Sequence, residues 1–333
     1  MRYAAPSGSG GRAMGLMIDG AWVQEDRSRA DQSGTFVRPA TTFRDTIAPG
    51  GRFPPEAGRY HLYVSLACPW AHRTLIFRAL KGLKGIIGLS VVHWLMDENG
   101  WTFAPGEGVL PDPVMDARFL HQLYARADVR FSGRVSVPVL WDKARDAIVN
   151  NESADIIRIF NHGFDAIGAA PGDYYPQALR AEIDAVNARV YATLNNGVYR
   201  AGFASTQDSH EAAVRPLFET LDWLEERLSR QPYLCGERLT EADWRLFTTL
   251  IRFDAVYHGH FKCNLRRIVD YPALWDYLRS LYQAPGVAAT VDFDHIKRHY
   301  YMSHPWVNPS GIVPLGPLLD LTAPGSRTVR LPG

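Results

Sequence analysis

Cys68 is the residue whose type and position most directly suggest chemistry. It follows the apolar run Leu62–Leu66 and directly precedes Pro69. Proline has a fixed φ and no N–H, which suits the first turn of a helix. We therefore expect Cys68 at a helix start, beside unpaired N–H groups and the positive end of the helix dipole. This position predicts a reactive thiolate, with a pKa below the ordinary thiol value of about 8.5.

The position three residues after Cys68 is occupied by Ala71, so the second cysteine of a Cys-X-X-Cys redox motif is missing. A single thiol at such a site needs an external thiol to complete its reaction cycle, and glutathione is the abundant candidate. A buried structural cysteine that precedes a helix by chance is the alternative, because one Cys-Pro pair is a weak signal.

The composition is that of a globular protein long enough for two domains. Of the 333 residues, 46% are hydrophobic, and 36 Lys and Arg residues nearly balance 35 Asp and Glu residues. This balance gives no indication of nucleic-acid or membrane-surface binding, and no apolar stretch or leader pattern suggests a membrane span or a signal peptide. Cys68, Cys235 and Cys263 are too few and too scattered for a disulfide framework. The sequence therefore predicts a cytoplasmic protein.

A small group of potential metal ligands occurs late in the chain. His258, His260 and Cys263 lie within six consecutive residues. A structural zinc site normally supplies four ligands at tighter motif spacing. No metal is therefore predicted.

Strand and helix signals alternate from Tyr60 to Asn161. The predicted strands are Leu62–Leu66, Leu89–Trp94, Arg134–Trp141 and Ala147–Val149, and the predicted helices are Arg73–Lys81 and Asn151–Phe160. A polar insertion between Met96 and Ser132 has the length of a functional loop or a disordered segment. Strand, helix, strand, hairpin and helix follow one another in the order of a thioredoxin-like domain.

Pro138 stands near the front of a predicted strand. In thioredoxin-like folds this place holds a cis-proline that faces the active cysteine, and the preceding residue, here Val137, offers its backbone to a bound thiol. A trans-proline that merely begins an edge strand is the alternative. Glu152 and Ser153 begin the next helix, where they either cap it or bind the γ-glutamyl ammonium and carboxylate of glutathione.

Helical patterns follow a linker at about residues 163–176. Thr240 and Asp243 predict a capping box within this helical region.

Further segments precede the strand-and-helix region and follow the helical region. Residues 1–13 are predicted to be disordered, and residues 21–58 to form an ordered surface arm, with a disordered arm as the alternative. The tail from His299 carries several Pro and Gly residues and is predicted not to be helical.

Several motifs together resemble one family. They are Gly58–Thr74, Glu98–Trp101, Gly133–Asp142, Asn150–Ser153, Asn196–Phe203 and Asn308–Pro314. Over about residues 14–318 the chain resembles the glutathionyl-hydroquinone reductases, also called Xi-class glutathione transferases. Ordinary glutathione transferases lack both the long insertion and this tail. The resemblance implies the glutathione transferase fold, an α+β thioredoxin-like domain followed by an all-α domain. Its implied parts are an extension and arm (1–57), a glutathione-binding domain (58–165), a helical substrate domain (166–299) and a C-terminal coil (300–333).

The resemblance also implies roles for individual residues. It makes Cys68 the nucleophile and Tyr199 the proton donor, with Tyr257 and Tyr300 beside the thiolate or the hydroquinone, or simply packed in the core. It implies glutathione contacts from Trp101, Arg134, Val135, Ser136, Val137, Glu152 and Ser153. Ser136 stands where threonine is common in the family, and this change leaves backbone contacts intact.

The implied reaction is reduction of a glutathionyl-hydroquinone through a mixed disulfide between Cys68 and glutathione, with release of oxidised glutathione. An omega-like thioltransferase or dehydroascorbate reductase is one alternative, and a non-enzymatic interaction module on the same scaffold is another. The resemblance also implies a homodimer, and apolar surface on the arm, insertion and tail supports this expectation. A lid over the site of a monomer is the competing interpretation of those segments.

Overall fold

A four-stranded mixed sheet forms the centre of the first domain in this structure, a computed structural model that describes residues 15–24 and 33–332. The strands are β1 (Leu16–Ile18), β2 (Ala21–Val23), β3 (Tyr60–Val64), β4 (Gly88–Val91), β5 (Val139–Asp142) and β6 (Ala147–Asn150). The order across the main sheet is β4-β3-β5-β6. β3 pairs in parallel with β4 and antiparallel with β5, and β5 pairs antiparallel with β6. β1 and β2 form a separate antiparallel hairpin.

Helices cover the sheet and build the second domain. They are α1 (Pro69–Leu80), α2 (His121–Ala127), α3 (Ser153–His162), α4 (Arg180–Val190), α5 (Gly197–Gly202), α6 (Gln207–Leu228), α7 (Glu241–Arg252), α8 (Pro272–Tyr282) and α9 (Phe293–Ser303). Short 3-10 turns occur at Leu83–Gly85, Asp165–Ile167, Gln177–Leu179, Ile268–Asp270 and Ala288–Thr290. α1 connects β3 to its parallel neighbour β4 and packs against both α3 and α7. It therefore links the sheet to the helical domain.

The predicted order of strand, helix, strand, hairpin and helix is confirmed in the first domain. Every residue of β3 is buried, as expected for a continuous apolar strand in the middle of a covered sheet. α1 begins at Pro69, directly after Cys68, as the Cys68–Pro69 pair predicts, and so starts four residues before the predicted helical segment Arg73–Lys81. The fold class predicted from the sequence is thus the one observed.

The helical domain contains two interruptions of regular α-helix. Tyr191–Asn195 continues α4 as a π-helix, and Phe253–Tyr257 continues α7 in the same way. Such segments occur frequently at functional sites. The predicted capping box of α7 is confirmed, because the Thr240 N–H donates to Asp243 Oδ2 at 2.8 Å and both halves of the motif are present.

The prediction that the chain cannot be helical from His299 onward is wrong for its first five residues. α9 runs from Phe293 to Ser303, and its N-cap Asp292 accepts a hydrogen bond from the His295 N–H at 2.8 Å. The helix ends only beside Pro305 because the residue before a proline is pushed out of the α region. Tyr300 therefore projects from a helix and not from a coil.

The arm and the insertion carry more structure than their polar sequences indicate. Phe36, Ile47 and Phe53 of the arm are buried, which supports the interpretation of residues 33–58 as an ordered arm. The insertion contains α2, which was not predicted. The predicted disorder of residues 1–13 falls outside the described residues.

Neither a membrane-spanning helix nor a metal-binding group occurs in the part of the chain that the structure describes. No helix there combines the length and the apolar character that a membrane span requires. No group of three or more His, Cys, Asp and Glu side chains there is arranged to hold a metal ion.

Candidate active site

Two adjoining cavities form one continuous cleft around the start of α1. The first contains Cys68 and Tyr199, and the second contains Glu152 and Ser153. The residues that line both cavities are Arg38, Pro39, Trp70, Arg134, Ser136 and Val137. A molecule lying along this cleft would meet a thiol at one end and the N-terminus of α3 at the other.

Cys68 occupies the N-cap position of α1, with Pro69 as the first helical residue. Its Sγ lies 3.7 Å from the carbonyl oxygen of Val137, toward which the thiol is directed. The Val137–Pro138 peptide bond is cis, so that prediction is confirmed. The loop before β5 thus presents the Val137 backbone directly to the candidate nucleophile.

The pKa of Cys68 does not follow the sequence prediction. Burial raises the pKa of the thiol above its ordinary value, because the thiolate loses solvation. The backbone N–H groups of Ala71 and Trp70 and the charges of Arg252 and Arg38 all lower the pKa, but burial has the larger effect. The expectation of a lowered pKa considered only the local helix start and is wrong for this structure.

We therefore predict that alkylation of Cys68 in the glutathione-free protein titrates above the ordinary thiol pKa of about 8.5. The rate should rise with pH through this midpoint, because the thiolate is the nucleophile and a raised pKa leaves little of it at neutral pH. The measurement is iodoacetamide labelling across a pH series, with Cys68 quantified by peptide mapping. Denatured protein is the control, and its Cys68 should return to the ordinary midpoint. A folded-state midpoint below 8.5 contradicts the prediction.

Three tyrosines form a hydrogen-bonded chain beside the thiol. The hydroxyl of Tyr300 lies 2.5 Å from that of Tyr199 and 3.1 Å from that of Tyr257. Tyr199 and Tyr300 line the cleft, whereas Tyr257 is fully buried behind them. Burial raises the pKa of all three phenols, so each stays protonated and able to donate. The predicted trio is therefore brought together, but Tyr257 does not itself line the cleft and contacts Tyr199 and Tyr300 from behind.

The residues expected to contact glutathione also line the cleft. Trp101 stacks on His299, with ring centroids 4.9 Å apart. The segment Arg134–Val137 runs along the wall that both cavities share, with Val135 restricted to the cavity of Cys68. Glu152 Oε1 caps α3 by accepting from the Ala154 N–H at 3.1 Å. Glu152 thus caps α3 and also lines the cleft, where it is half-buried.

Ser153 is the first residue of α3 and lies over a buried cation. Arg73 Nη1 is 3.4 Å from Ser153 Oγ, and Arg73 Nη2 donates to Asn195 Oδ1 at 3.1 Å. The guanidinium carbon of Arg73 also lies 4.6 Å from the ring centroid of Trp70. Arg73 therefore supports the floor of the cleft and ties it to the helical domain.

Several residues of the cleft were missed in the sequence. Arg38 belongs to the arm, and its guanidinium lies 4.7 Å from the ring of Trp70 and 5.0 Å from the ring of Tyr199. Its Nε donates to Asn196 Oδ1 at 3.0 Å. The only available signal was a basic and aromatic cluster, Phe36–Arg38, within a polar stretch. The other missed residues of the thiol cavity include Trp22, Phe36, Trp70, Met96, Asp97, His299 and His304.

Two family models match the chain. They are the glutathione S-transferase N-terminal domain over residues 67–162 and the glutathione S-transferase C-terminal domain over residues 207–280. The first covers Cys68, Arg134–Val137, Glu152 and Ser153, and the second covers most of α6 to α8. Both therefore agree with the two-domain fold.

Individual proteins match over nearly the whole chain. Glutathionyl-hydroquinone reductase PcpF of Sphingobium chlorophenolicum is 57% identical over 92% of this chain and 98% of its own length. The glutathione-bound structure of YqjG, a glutathione transferase homolog from Escherichia coli K-12, is 52% identical with a TM-score of 0.86, covering 94% of this chain and 99% of that one. The Xi glutathione S-transferase of Phanerochaete chrysosporium is 53% identical with a TM-score of 0.85, covering 87% of this chain and 95% of that one.

These matches cover 87 to 94% of the chain, whereas the two domain models are confined to residues 67–162 and 207–280. Such similarity over nearly the full length of both proteins goes beyond a shared fold. The chain belongs to the glutathionyl-hydroquinone reductases, the Xi class of the glutathione transferases.

Proposed function

We propose that this protein reduces glutathionyl-hydroquinones to hydroquinones and releases oxidised glutathione. The observation that carries the proposal is the shared cleft, in which the Cys68 thiol and the Tyr199 phenol line a largely aromatic cavity. That cavity opens into a polar one at the N-terminus of α3. A conjugate of glutathione with a hydroquinone has the same two parts, because its aromatic ring suits the first cavity and its peptide suits the second.

The glutathione part of the substrate is proposed to lie in the polar cavity. The positive end of α3 and the side chain of Ser153 suit the γ-glutamyl carboxylate, and Glu152 suits the neighbouring ammonium group. The segment Arg134–Val137 offers backbone groups to the peptide, with Val137 nearest the sulfur. Trp101, which stacks on His299 of α9, is proposed to contact glutathione from the adjoining cavity of Cys68.

The first chemical step breaks the bond between the ring carbon and sulfur. Tyr199 donates a proton to that ring carbon while the neighbouring ring hydroxyl releases its proton, which gives the keto form of the glutathionyl-hydroquinone. The Cys68 thiolate then attacks the glutathione sulfur, forming the Cys68–glutathione disulfide while the carbon–sulfur electron pair returns to the ring. The ring gains two electrons and becomes the hydroquinone once its oxygen is protonated. Tyr300 lies between Tyr199 and Tyr257 and can return the proton to Tyr199.

The second step regenerates the thiol. A second glutathione, as its thiolate, attacks the glutathione sulfur of the mixed disulfide and displaces the Cys68 thiolate. The products are oxidised glutathione and the resting enzyme. The three cysteines are free in the structure, which agrees with a protein that works in a reducing compartment such as the cytoplasm.

A substrate panel tests the proposed function. Oxidised glutathione formation is measured with glutathionyl-hydroquinones, with a small mixed disulfide of glutathione, and with dehydroascorbate. The proposal expects the highest kcat/KM with the hydroquinone conjugates. A higher kcat/KM with the mixed disulfide or dehydroascorbate would favour an omega-like thioltransferase instead.

We also propose that the protein is a homodimer whose interface includes the tail. Ile312, Leu315 and Leu318 are 71%, 93% and 96% exposed, which is unusual for adjacent apolar side chains. Closed two-fold pairing is the commonest assembly that buries such a surface.

Light scattering at micromolar concentration is expected to give about twice the 37.3 kDa chain mass. Replacing Leu315 and Leu318 together by serine should shift the mass toward one chain without lowering monomer stability, because both side chains are exposed. Leu265→Ser, at an exposed apolar residue outside the arm, the insertion and the tail, is the matched control. A wild-type mass near a single chain would rule out the dimer.

A further inference from the structure

A buried arginine of the helical domain lies beneath the loop that leads to Cys68. Arg252 is the last residue of α7 and is fully buried. Its Nε donates to the carbonyl oxygen of Ala67 at 2.9 Å, and its Nη2 donates to that of Leu66 at 3.0 Å. These are the two residues immediately before Cys68, so a side chain from the second domain fixes the backbone from which the thiol projects.

The remaining hydrogen bonds of Arg252 also go to neutral groups. Its Nη1 donates to the Thr248 carbonyl oxygen at 2.8 Å and to His72 Nδ1 at 2.9 Å. Burial, followed by the charge of Arg252, holds the pKa of His72 well below its usual value, so the ring is neutral and accepts this bond. His72 Nε2 then donates to Thr290 Oγ1 at 2.8 Å.

The positive charge of Arg252 thus lacks an acidic counterpart. Within residues 15–24 and 33–332, no Asp or Glu forms an ion pair with it, and its four hydrogen bonds all end on neutral acceptors. A buried cation is costly unless it is compensated, and the C-terminal end of α7 offsets only part of the cost. A negative charge that forms nearby is therefore stabilised.

Cys68 is the group at this place that becomes negative during the reaction. The other charged or titratable groups that act on it are Arg38 from the arm and Tyr199 from α5. The charge of Arg252 also acts on Tyr257 and Tyr300, lowering their pKa against the larger, opposite effect of burial. Arg38 lines the open cleft, whereas Arg252 is fully enclosed by protein.

We propose that Arg252 is the positioning residue of this site, holding the Leu66–Ala67 backbone in place and supplying the fixed counter-charge for the Cys68 thiolate. The inference rests on the proposed role of Cys68 as nucleophile. It extends that role by assigning the thiolate's permanent cation to a residue of the helical domain, about 180 positions away in the sequence.

The test is the pH dependence of Cys68 alkylation in full-length Arg252→Met, a neutral replacement of similar length. We expect the midpoint to rise by about one pH unit or more, because an opposite charge at close range shifts a pKa by this amount. The labelling rate at neutral pH should fall by about tenfold, and the plateau rate above the midpoint should approach that of the wild type. Iodoacetamide needs neither glutathione nor a quinone, so this result is independent of whether the proposed reductase activity is found.

Lys81→Met is the matched control. Lys81 is a fully buried cation at the end of α1 that donates to the Gly172 carbonyl oxygen at 2.9 Å, away from the cleft. Its removal should leave the Cys68 midpoint unchanged. Arg252→Lys keeps the charge, so its alkylation midpoint should lie close to that of the wild type. Its labelling should remain slower than that of the wild type, because one ammonium cannot hold both carbonyls in the geometry of a guanidinium.

Two outcomes would overturn the proposal. One is an Arg252→Met protein with the wild-type thermal transition and the wild-type midpoint. The other is a lower plateau rate at an unchanged midpoint, which would leave Arg252 a purely structural role. If Arg252→Met does not fold, Arg252→Lys decides alone: a near-wild-type midpoint supports the counter-charge, and a rise of about a full unit contradicts it.

Discussion

Cys68→Ser should lower the reduction of glutathionyl-hydroquinones by at least about a hundredfold, because a serine hydroxyl is a far poorer nucleophile toward sulfur than a thiolate. Both proposed steps pass through the Cys68 sulfur, so no part of the cycle survives its loss. The measurement is the rate of hydroquinone and oxidised glutathione formation. Residual activity of more than a few per cent would contradict the mechanism.

The fold should survive this substitution. Cys68 makes no side-chain capping bond at the start of α1, and serine is among the preferred N-cap residues. The thermal transition is therefore expected to stay the same or to rise slightly, and glutathione should still bind.

Cys235→Ser is the matched control for the loss of a thiol. Cys235 is a buried cysteine whose pKa is raised by burial to about 12, and it does not line the described cleft. This variant should retain hydroquinone reduction. A comparable loss of activity in Cys235→Ser would mean that the effect of Cys68→Ser does not report on the nucleophile.

Tyr199→Phe should lower hydroquinone reduction by about a hundredfold or more, because a positioned general acid contributes a factor of this order. The same variant should keep most of its thiol exchange with a small mixed disulfide, since that reaction protonates no carbon. The ratio of the two activities is therefore the decisive readout. An equal loss of both activities would indicate damage to the thiol site and not the loss of a proton donor.

Substitutions of the other tyrosines should lower hydroquinone reduction to smaller extents. Tyr300→Phe removes the hydroxyl that lies 2.5 Å from that of Tyr199 and should cause an intermediate loss, whereas Tyr257→Phe should cause a smaller one because Tyr257 does not line the cleft. Tyr301→Phe is the matched control, since Tyr301 neighbours Tyr300 in α9 and its hydroxyl donates to the Ala255 carbonyl oxygen, 3.5 Å away. It should behave as wild type.

Much of the fold and part of the site could be predicted because the responsible physics acts between near neighbours in the chain. The Cys68–Pro69 pair places the thiol at a helix start through the backbone of proline itself. The capping box of Thr240 and Asp243 closes within a single turn. The position of Pro138 near the front of a strand left two alternatives, a cis-proline that faces Cys68 or a trans-proline that begins an edge strand, and the structure shows the cis form.

The tail shows where local information misled. The Pro and Gly residues after Ser303 suggested a coil from His299 onward, yet proline disturbs the helix only from the residue just before it. α9 therefore continues through Tyr300 and directs its hydroxyl toward Tyr199 and Tyr257. The composition of the tail correctly indicated a coil after Ser303, but it did not show where the preceding helix ends.

The sequence by itself determined that a thiol begins a helix in a thioredoxin-like domain and that a helical domain follows. Only the tertiary structure decided what surrounds this thiol. The charges of Arg38 from the arm and Arg252 from α7 lower the pKa of Cys68, as the helix start does, but burial of the thiol in the folded protein outweighs them and raises the pKa. The physical reason is that solvation and Coulomb energy depend on distance in space, which residue spacing along the chain does not encode.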